Sequence, residues 1–119
     1  SIVHKLTPSM EGAYADMMEL IKNGEELAPC YFADNDLIAV GAIKALKENG
    51  YRIPQDIGIV GFDNLPLGSV IEPALTTIHV PKQYMGEAAA QKLIDLLHTP
   101  GQPPTKTEVS TMLVKRGTV

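Results

Sequence analysis

The sequence predicts an α/β fold with a mainly parallel sheet flanked by helices. Three observations carry this reading. An apolar run at 29–33, a helical pattern at 37–49 and a second apolar run at 57–62 follow one another through short joints, the layout of a right-handed strand–helix–strand crossover. The run Ile57-Gly58-Ile59-Val60-Gly61-Phe62 is continuous rather than alternating, as expected of a parallel strand covered on both faces. Both apolar runs end in an acidic turn, Asp34-Asn35-Asp36 and Asp63-Asn64, which places polar groups beyond the ends of two parallel strands.

Each element has its own signal. Thr7 can cap a first helix, Pro8 fits its first position and Gly24 its end. Met10, Ala13, Tyr14, Met17, Leu20 and Ile21 recur at helical spacing and make one apolar face. Pro29-Cys30-Tyr31-Phe32-Ala33 reads as a short buried strand, with Cys30 a small buried side chain. The helix at 37–49 is apolar nearly all round in its first half (Leu37, Ile38, Ala39, Val40, Ala42, Ile43), so that half should be buried. Gly50 stops it and Pro54 lies just beyond. Residues 64–74, with Pro66, Gly68 and Pro73, read as irregular. Thr76-Thr77-Ile78-His79 reads as a strand. Pro81 then opens a helix over 82–97 with a stripe of Met85, Ala88, Ala89, Leu93, Leu96 and Leu97. A Pro- and Gly-rich turn at 99–104 leads to a last strand at 109–114.

The 119 residues are enough for one small α/β domain, 1–119. A net charge of −4 with basic residues scattered along the chain, only Lys115 and Arg116 being adjacent, argues against direct nucleic-acid binding, because phosphate neutralisation needs clustered Lys and Arg. The single cysteine excludes an internal disulfide and fits a reducing cytoplasm. No apolar run approaches the ~20 residues needed to cross a bilayer, and no signal peptide is visible. The chain starts without Met and reaches Ile2-Val3 at once, so a piece of a longer cytoplasmic protein is expected.

Ligands bind beyond the carboxyl ends of strands in open parallel sheets, so both acidic turns should share one rim. Carboxylates accept hydrogen bonds and the Asn amide does both, which suits a ligand rich in hydroxyl or N–H groups. Plainer roles compete: Asn35 or Asp36 as a helix cap, and Asp63-Asn64 as a turn. Asp34-Asn35-Asp36 also resembles the Asp-x-Asp nucleophile loop of haloacid-dehalogenase-type, Mg²⁺-dependent phosphohydrolases. That likeness is three residues long, and the Thr or Val expected two positions later falls at Ile38. His4, His79 and His98 have no partner at metal-ligand spacing, so no metal and no cofactor is expected. Phosphate-binding Gly loops and the Gly-x-Ser-x-Gly elbow are absent, so no catalytic residue is expected.

Six collinear blocks carry a wider resemblance. Asn35-Asp36-Leu37-Ile38-Ala39-Val40-Gly41-Ala42, Gly50-Tyr51-Arg52-Ile53-Pro54-Gln55-Asp56-Ile57, Val60-Gly61-Phe62-Asp63-Asn64, Pro73-Ala74-Leu75-Thr76-Thr77-Ile78, Gly86-Glu87-Ala88-Ala89 and Val114-Lys115-Arg116-Gly117-Thr118 resemble, in order, the signatures of the lactose/galactose-repressor (LacI/GalR) family of transcriptional regulators. The resemblance implies a truncated C-terminal lobe of a two-lobed, periplasmic-binding-protein-like (type I) core. It implies a small-molecule effector (sugar or purine-like), a homodimer, no membrane, and DNA contact only through a helix-turn-helix domain outside this chain. It places effector contacts at Asn35, Asp36, Asp63 and, more weakly, Asn64, and a dimer interface at Val40 and Ile71. The helix over 82–97 would belong to the missing N-terminal lobe, so its stripe should repack on the sheet, pair with a second copy or stay exposed. A periplasmic-type sugar-binding protein of the same fold is the alternative.

Overall fold

The computed structural model describes all 119 residues. Its elements are α1 (Met10–Lys22), β1 (Cys30–Phe32), α2 (Asp36–Glu48), β2 (Gly58–Phe62), α3 (Leu67–Val70), β3 (Thr76–His79), α4 (Lys82–His98) and β4 (Met112–Val114). The sheet order is β1-β2-β3-β4. The first three strands are parallel and β4 runs antiparallel along β3. The mainly parallel α/β class therefore holds.

The core lies between α1, α2 and the sheet. Met17 meets Ala39, Val40, Ala42, Ile43, Ala45 and Leu46 of α2, with Ile53, Ile57, Ile59 and Leu75 below them. The α1 face expected from its spacing is the one that packs: Ala13 and Met17 are buried, and Met10, Tyr14, Leu20 and Ile21 line the edge of the core. Gly41 lets the two helices approach this closely, since a Cβ there would lie 2.3 Å from the Met10 carbonyl oxygen. The cap of α1 is Ser9 rather than Thr7; Ser9 Oγ accepts from the Gly12 N–H at 3.1 Å. Thr7 stays outside the helix because its N–H donates to Asp16 Oδ2 at 2.6 Å.

Other departures have simple causes. The stretch expected to be irregular contains the single-turn helix α3. The last strand is only three residues long because β3, its one partner, ends at His79, opposite Met112. Cys30 is exposed, not buried. It lies on the edge strand, and burial along β1 alternates, with Cys30 and Phe32 outward and Tyr31 inward. No layer covers that outer face. Helix α4 has no buried residue, and its stripe stays in solvent, with Leu93 60% and Leu97 71% exposed. The molecule is accordingly elongated, 59 × 26 × 25 Å.

Two polar devices fasten the sheet. Beyond β4, the C-terminal segment reaches both β2 and β3. Thr118 Oγ1 donates to the Ile59 carbonyl at 2.6 Å and accepts from the Thr76 N–H at 2.9 Å. The Ile59 N–H in turn donates to the Thr118 carbonyl at 2.9 Å. At the other end, the fully buried Asp36 ties α2 to β3 and to the turn after β2. Its Oδ1 accepts from Thr77 Oγ1 at 2.6 Å and its Oδ2 from the Leu65 N–H at 2.6 Å. The carboxyl fits only because residue 61 is Gly; a Cβ there would lie 2.3 Å from Asp36 Oδ1.

Gly61→Ala is therefore expected to cost about 3 kcal/mol in urea unfolding, the upper end for overpacking. Thr77→Val should cost about 1.5–3 kcal/mol, as for a hydrogen bond to a charged group. Losses within about 0.5 kcal/mol in both, the range of neutral surface changes, would show that the Asp36 seat is not structural.

The α2–β2 connection is held by Arg52, whose Nη2 and Nε donate to Asp56 Oδ1 and Oδ2 at 2.6 and 2.9 Å. The guanidinium, aided by the Arg52 N–H, lowers the Asp56 pKa to about 2. A depressed carboxyl pKa means that the stabilisation is present above the ordinary Asp range and is lost as pH falls through about 2. Carboxyl ¹³C titration should give Asp56 a midpoint near 2. An ordinary midpoint, about 3.9, would contradict the chelated geometry.

Candidate functional site

β1 and β2 are in register through Phe32↔Val60, so Asn35 and Asp63, each three residues further on, leave neighbouring strands at the same rim. The structure gathers Asn35, Asp36, Asp63 and Asn64 at that end of the sheet but gives them different surroundings.

Asn35 caps α2. Its backbone is extended, and Oδ1 accepts from the Ile38 N–H at 2.9 Å. The side-chain NH₂ has no partner within the chain and remains available at the half-buried rim. Asp36 differs from the sequence expectation. It is the first residue of α2, not the cap, and it is 0% exposed with both oxygens accepting from the protein. The helix N-terminus adds favourable potential for its negative charge. A group so enclosed holds the rim together and presents nothing to a ligand in this conformation.

Asp63 and Asn64 turn the chain away from β2 with φ of 104° and 51°. Positive φ is tolerated by Asp and Asn better than by most residues, but 104° lies outside the left-handed helical well. The conformation persists because both ends of the turn are tied. The Asp63 N–H donates to the Ile78 carbonyl at 3.0 Å, and the Asn64 N–H donates to Thr77 Oγ1 at 3.3 Å. The Asp63 side chain is one-third exposed, and its carboxyl accepts no hydrogen bond within the chain; Lys82 Nζ is 3.8 Å from Oδ1. Both polar atoms of the Asn64 side chain have partners. Its Oδ1 accepts from Arg116 Nη2 at 2.8 Å, and its Nδ2 lies 3.2 Å from His79 Nδ1. It positions the turn rather than offering free polar atoms.

Thr77, His79, Lys82 and Arg116 therefore belong to the rim and were not singled out as site residues from the sequence. Arg116 also donates from Nη1 to the Leu75 carbonyl and from its backbone N–H to Thr76 Oγ1, both at 2.9 Å. Thr77 and Arg116 sit inside recognisable sequence blocks, but their partners are more than 40 residues away, so no local spacing reveals the bonds.

The remaining expectations fare variously. Val40 is 7% exposed and belongs to the core, leaving it almost no surface for a second chain; Ile71 is half-buried at the core edge. The Asp34-x-Asp36 pair cannot form a phosphohydrolase carboxylate pair, since Asp36 is enclosed while Asp34 is exposed. No group of three or more His, Cys, Asp or Glu is placed to hold a metal ion. No helix is long and apolar enough to cross a membrane. A groove of about 470 Å³ runs between residues 2–6 and the free edge of β1, with Met17, Ile38, Ala42 and Ile59 in its lining. It is mostly apolar, a surface for packing rather than for a polyol.

Comparison with known proteins places this geometry in a family. Residues 2–119 match the periplasmic binding protein-like domain. The repressor PurR of Klebsiella pneumoniae, described as an HTH-type transcriptional repressor, is 38% identical over 109 residues, 92% of this chain and 32% of its own length. PurR of Yersinia enterocolitica matches to the same extent. The chain thus spans about a third of the length of these curated relatives (32%). Among solved structures, a LacI family transcriptional regulator from Arthrobacter in complex with lactose is 32% identical with a TM-score of 0.79, covering 95% of this chain and 43% of that one. A LacI family regulator from Enterococcus faecium with bound ribose is 32% identical with a TM-score of 0.80, covering 95% and 41%. The lac repressor dimer bound to operator and an anti-inducer is 28% identical with a TM-score of 0.83, covering 92% and 38%. With its parallel sheet, its polar rim and a match over nearly its whole length, the chain belongs to the periplasmic-binding-protein-like domain family and corresponds to part of the effector-binding region of LacI-family regulators.

Proposed function

We propose that this chain is an effector-sensing segment of a LacI-type transcriptional repressor, and that the rim carrying Asn35 and Asp63 contacts a small polar ligand, a sugar or a purine-like molecule. One observation carries the site: a partly exposed carboxyl with no hydrogen bond of its own, held at a strained φ of 104° beyond a parallel strand. Strain of this kind costs about 1–3 kcal/mol and gathers where function demands a fixed direction. Asn35 adds free N–H donors on the same rim, so the pair offers both acceptor and donor. Relatives bearing lactose and ribose support the ligand class. No catalytic step is assigned. DNA contact is assigned to a domain beyond these 119 residues, in keeping with their net charge of −4 and the scattered basic side chains. The same reading assigns the protein to the cytoplasm, where operator DNA lies.

Function would follow from population shift. A ligand that bridges this rim and a facing lobe stabilises the closed arrangement by its differential affinity, and that alone can change operator binding. Of the four residues first expected to bind ligand, Asn35 and Asp63 are proposed as contacts, and Asp36 and Asn64 as their supports.

In the longer protein, Asp63→Asn and Asn35→Asp are expected to weaken effector binding by about 1–3 kcal/mol each in calorimetry. Asp at 35 keeps the oxygen that caps α2, so the helix remains while the amide donors are removed. Unchanged affinity in both variants would rule out the rim as the site.

We also infer that the chain self-associates. The uncovered α4 stripe is a contiguous apolar surface, with Leu93, Ile94, Leu96 and Leu97 all exposed. Size-exclusion chromatography with light scattering at micromolar concentration should give a dimer mass. A monodisperse 12.8 kDa species would refute this.

A further inference from the structure

We propose that Lys82 is a further ligand-contacting residue, paired with Asp63 so that one hydroxyl oxygen of a polyol bridges the two side chains. The proposal rests on the rim being the ligand site and selects the ligand chemistry within it.

Lys82 opens α4, three residues after β3 ends. Its Nζ donates to the backbone carbonyl of Asp63, the one side-chain hydrogen bond that joins α4 to the rest of the chain. An ammonium has three N–H groups, so two remain. The Asp63 carboxyl is beside it but not bonded, because 3.8 Å exceeds the 2.7–3.2 Å of an N–H···O hydrogen bond. Both side chains reach solvent, Lys82 51% and Asp63 33% exposed. An unused donor and an unused acceptor therefore stand side by side, each held in place by backbone geometry. Asp63 is fixed by its tied turn, and Lys82 by the carbonyl of that same residue.

A hydroxyl group complements this pair. Its O–H donates to Asp63 Oδ1 and its oxygen accepts from Lys82 Nζ. A ring N–H, as on a purine, can satisfy Asp63 but has no lone pair for Lys82 at the same atom. The pair thus favours a polyol over a ligand offering only N–H donors. Exposed ion pairs contribute little to stability, so folding alone gives the arrangement little advantage. Lys82 is also the first residue of a helix with no buried side chain, so a ligand at this pair touches α4 as well as the sheet rim.

The test uses the longer protein with its facing lobe, ¹⁵N-labelled, with D-ribose, lactose and adenine as probes. The variants are Lys82→Met and Asp63→Asn. Lys82 is half exposed and Asn accepts positive φ, so both variants should fold, with amide spectra superposing away from the rim. The expected result is saturable shifts at the Asn35, Asp63 and Lys82 amides with ribose or lactose, weakened roughly tenfold by Lys82→Met as for loss of a charge-assisted hydrogen bond. Sugar binding that depends on Asp63 but is unchanged in Lys82→Met overturns the role of Lys82 and leaves the rim reading intact. Adenine binding at Asp63 with no sugar binding overturns the polyol preference and again leaves the rim. Absence of any saturable shift at Asn35 or Asp63 with all three probes overturns both.

Discussion

A buried carboxyl group organises the polar rim of this molecule. Asp36 begins α2, accepts from Thr77 on β3 and from the Leu65 N–H beyond β2, and rests against Gly61. One side chain therefore sets the distance between a helix start, a strand and a turn. Burying a charge without partners is costly, so the two short hydrogen bonds and the helix N-terminus must act together. The arrangement is directional where hydrophobic packing is not. The α1–α2 core holds the layers together, but the Asp36 seat decides where Asn35 and Asp63 point.

A second tie closes the sheet from the C-terminal side. Arg116 spans Leu75, Thr76 and Asn64, and Thr118 bonds both β2 and β3. Asn64 is thereby locked between Arg116 and His79, which leaves Asp63 as the free carboxyl of its turn. The rim is built by division of labour. Both oxygens of Asp36 and both polar atoms of the Asn64 amide already have partners in the protein. Asn35 and Asp63 keep some of their hydrogen-bonding capacity open, with Lys82 alongside. Preorganisation of this kind would lower the ordering cost of the ligand proposed for this rim.

The acidic turns were legible because strand ends and helix starts leave local marks, and the strand–helix–strand order follows from periodicity. The division of roles inside the turns was not. Asp36 reads from the sequence as a cap or a ligand contact, and only the position of Thr77, far along the chain, makes it a buried tie instead. Nothing local in the sequence marks Lys82 beyond its place at the start of the helix after Pro81. Cys30 read as buried because its neighbours are apolar, yet an edge strand with one covered face leaves it outside. Val40 was placed at a dimer interface by resemblance, whereas the close α1–α2 contact at Gly41 draws it into the core.

By itself the sequence determined the fold class, the order of elements and the pair of turns that carry polar groups, since each depends on residues within a few positions of one another. The tertiary structure alone decided which polar groups are filled and which are open, because hydrogen bonds across 40 residues and the layer covering each strand have no local signature. It also left α4 with its apolar stripe in water, since a helix pattern specifies a face to bury but not whether any surface is there to receive it.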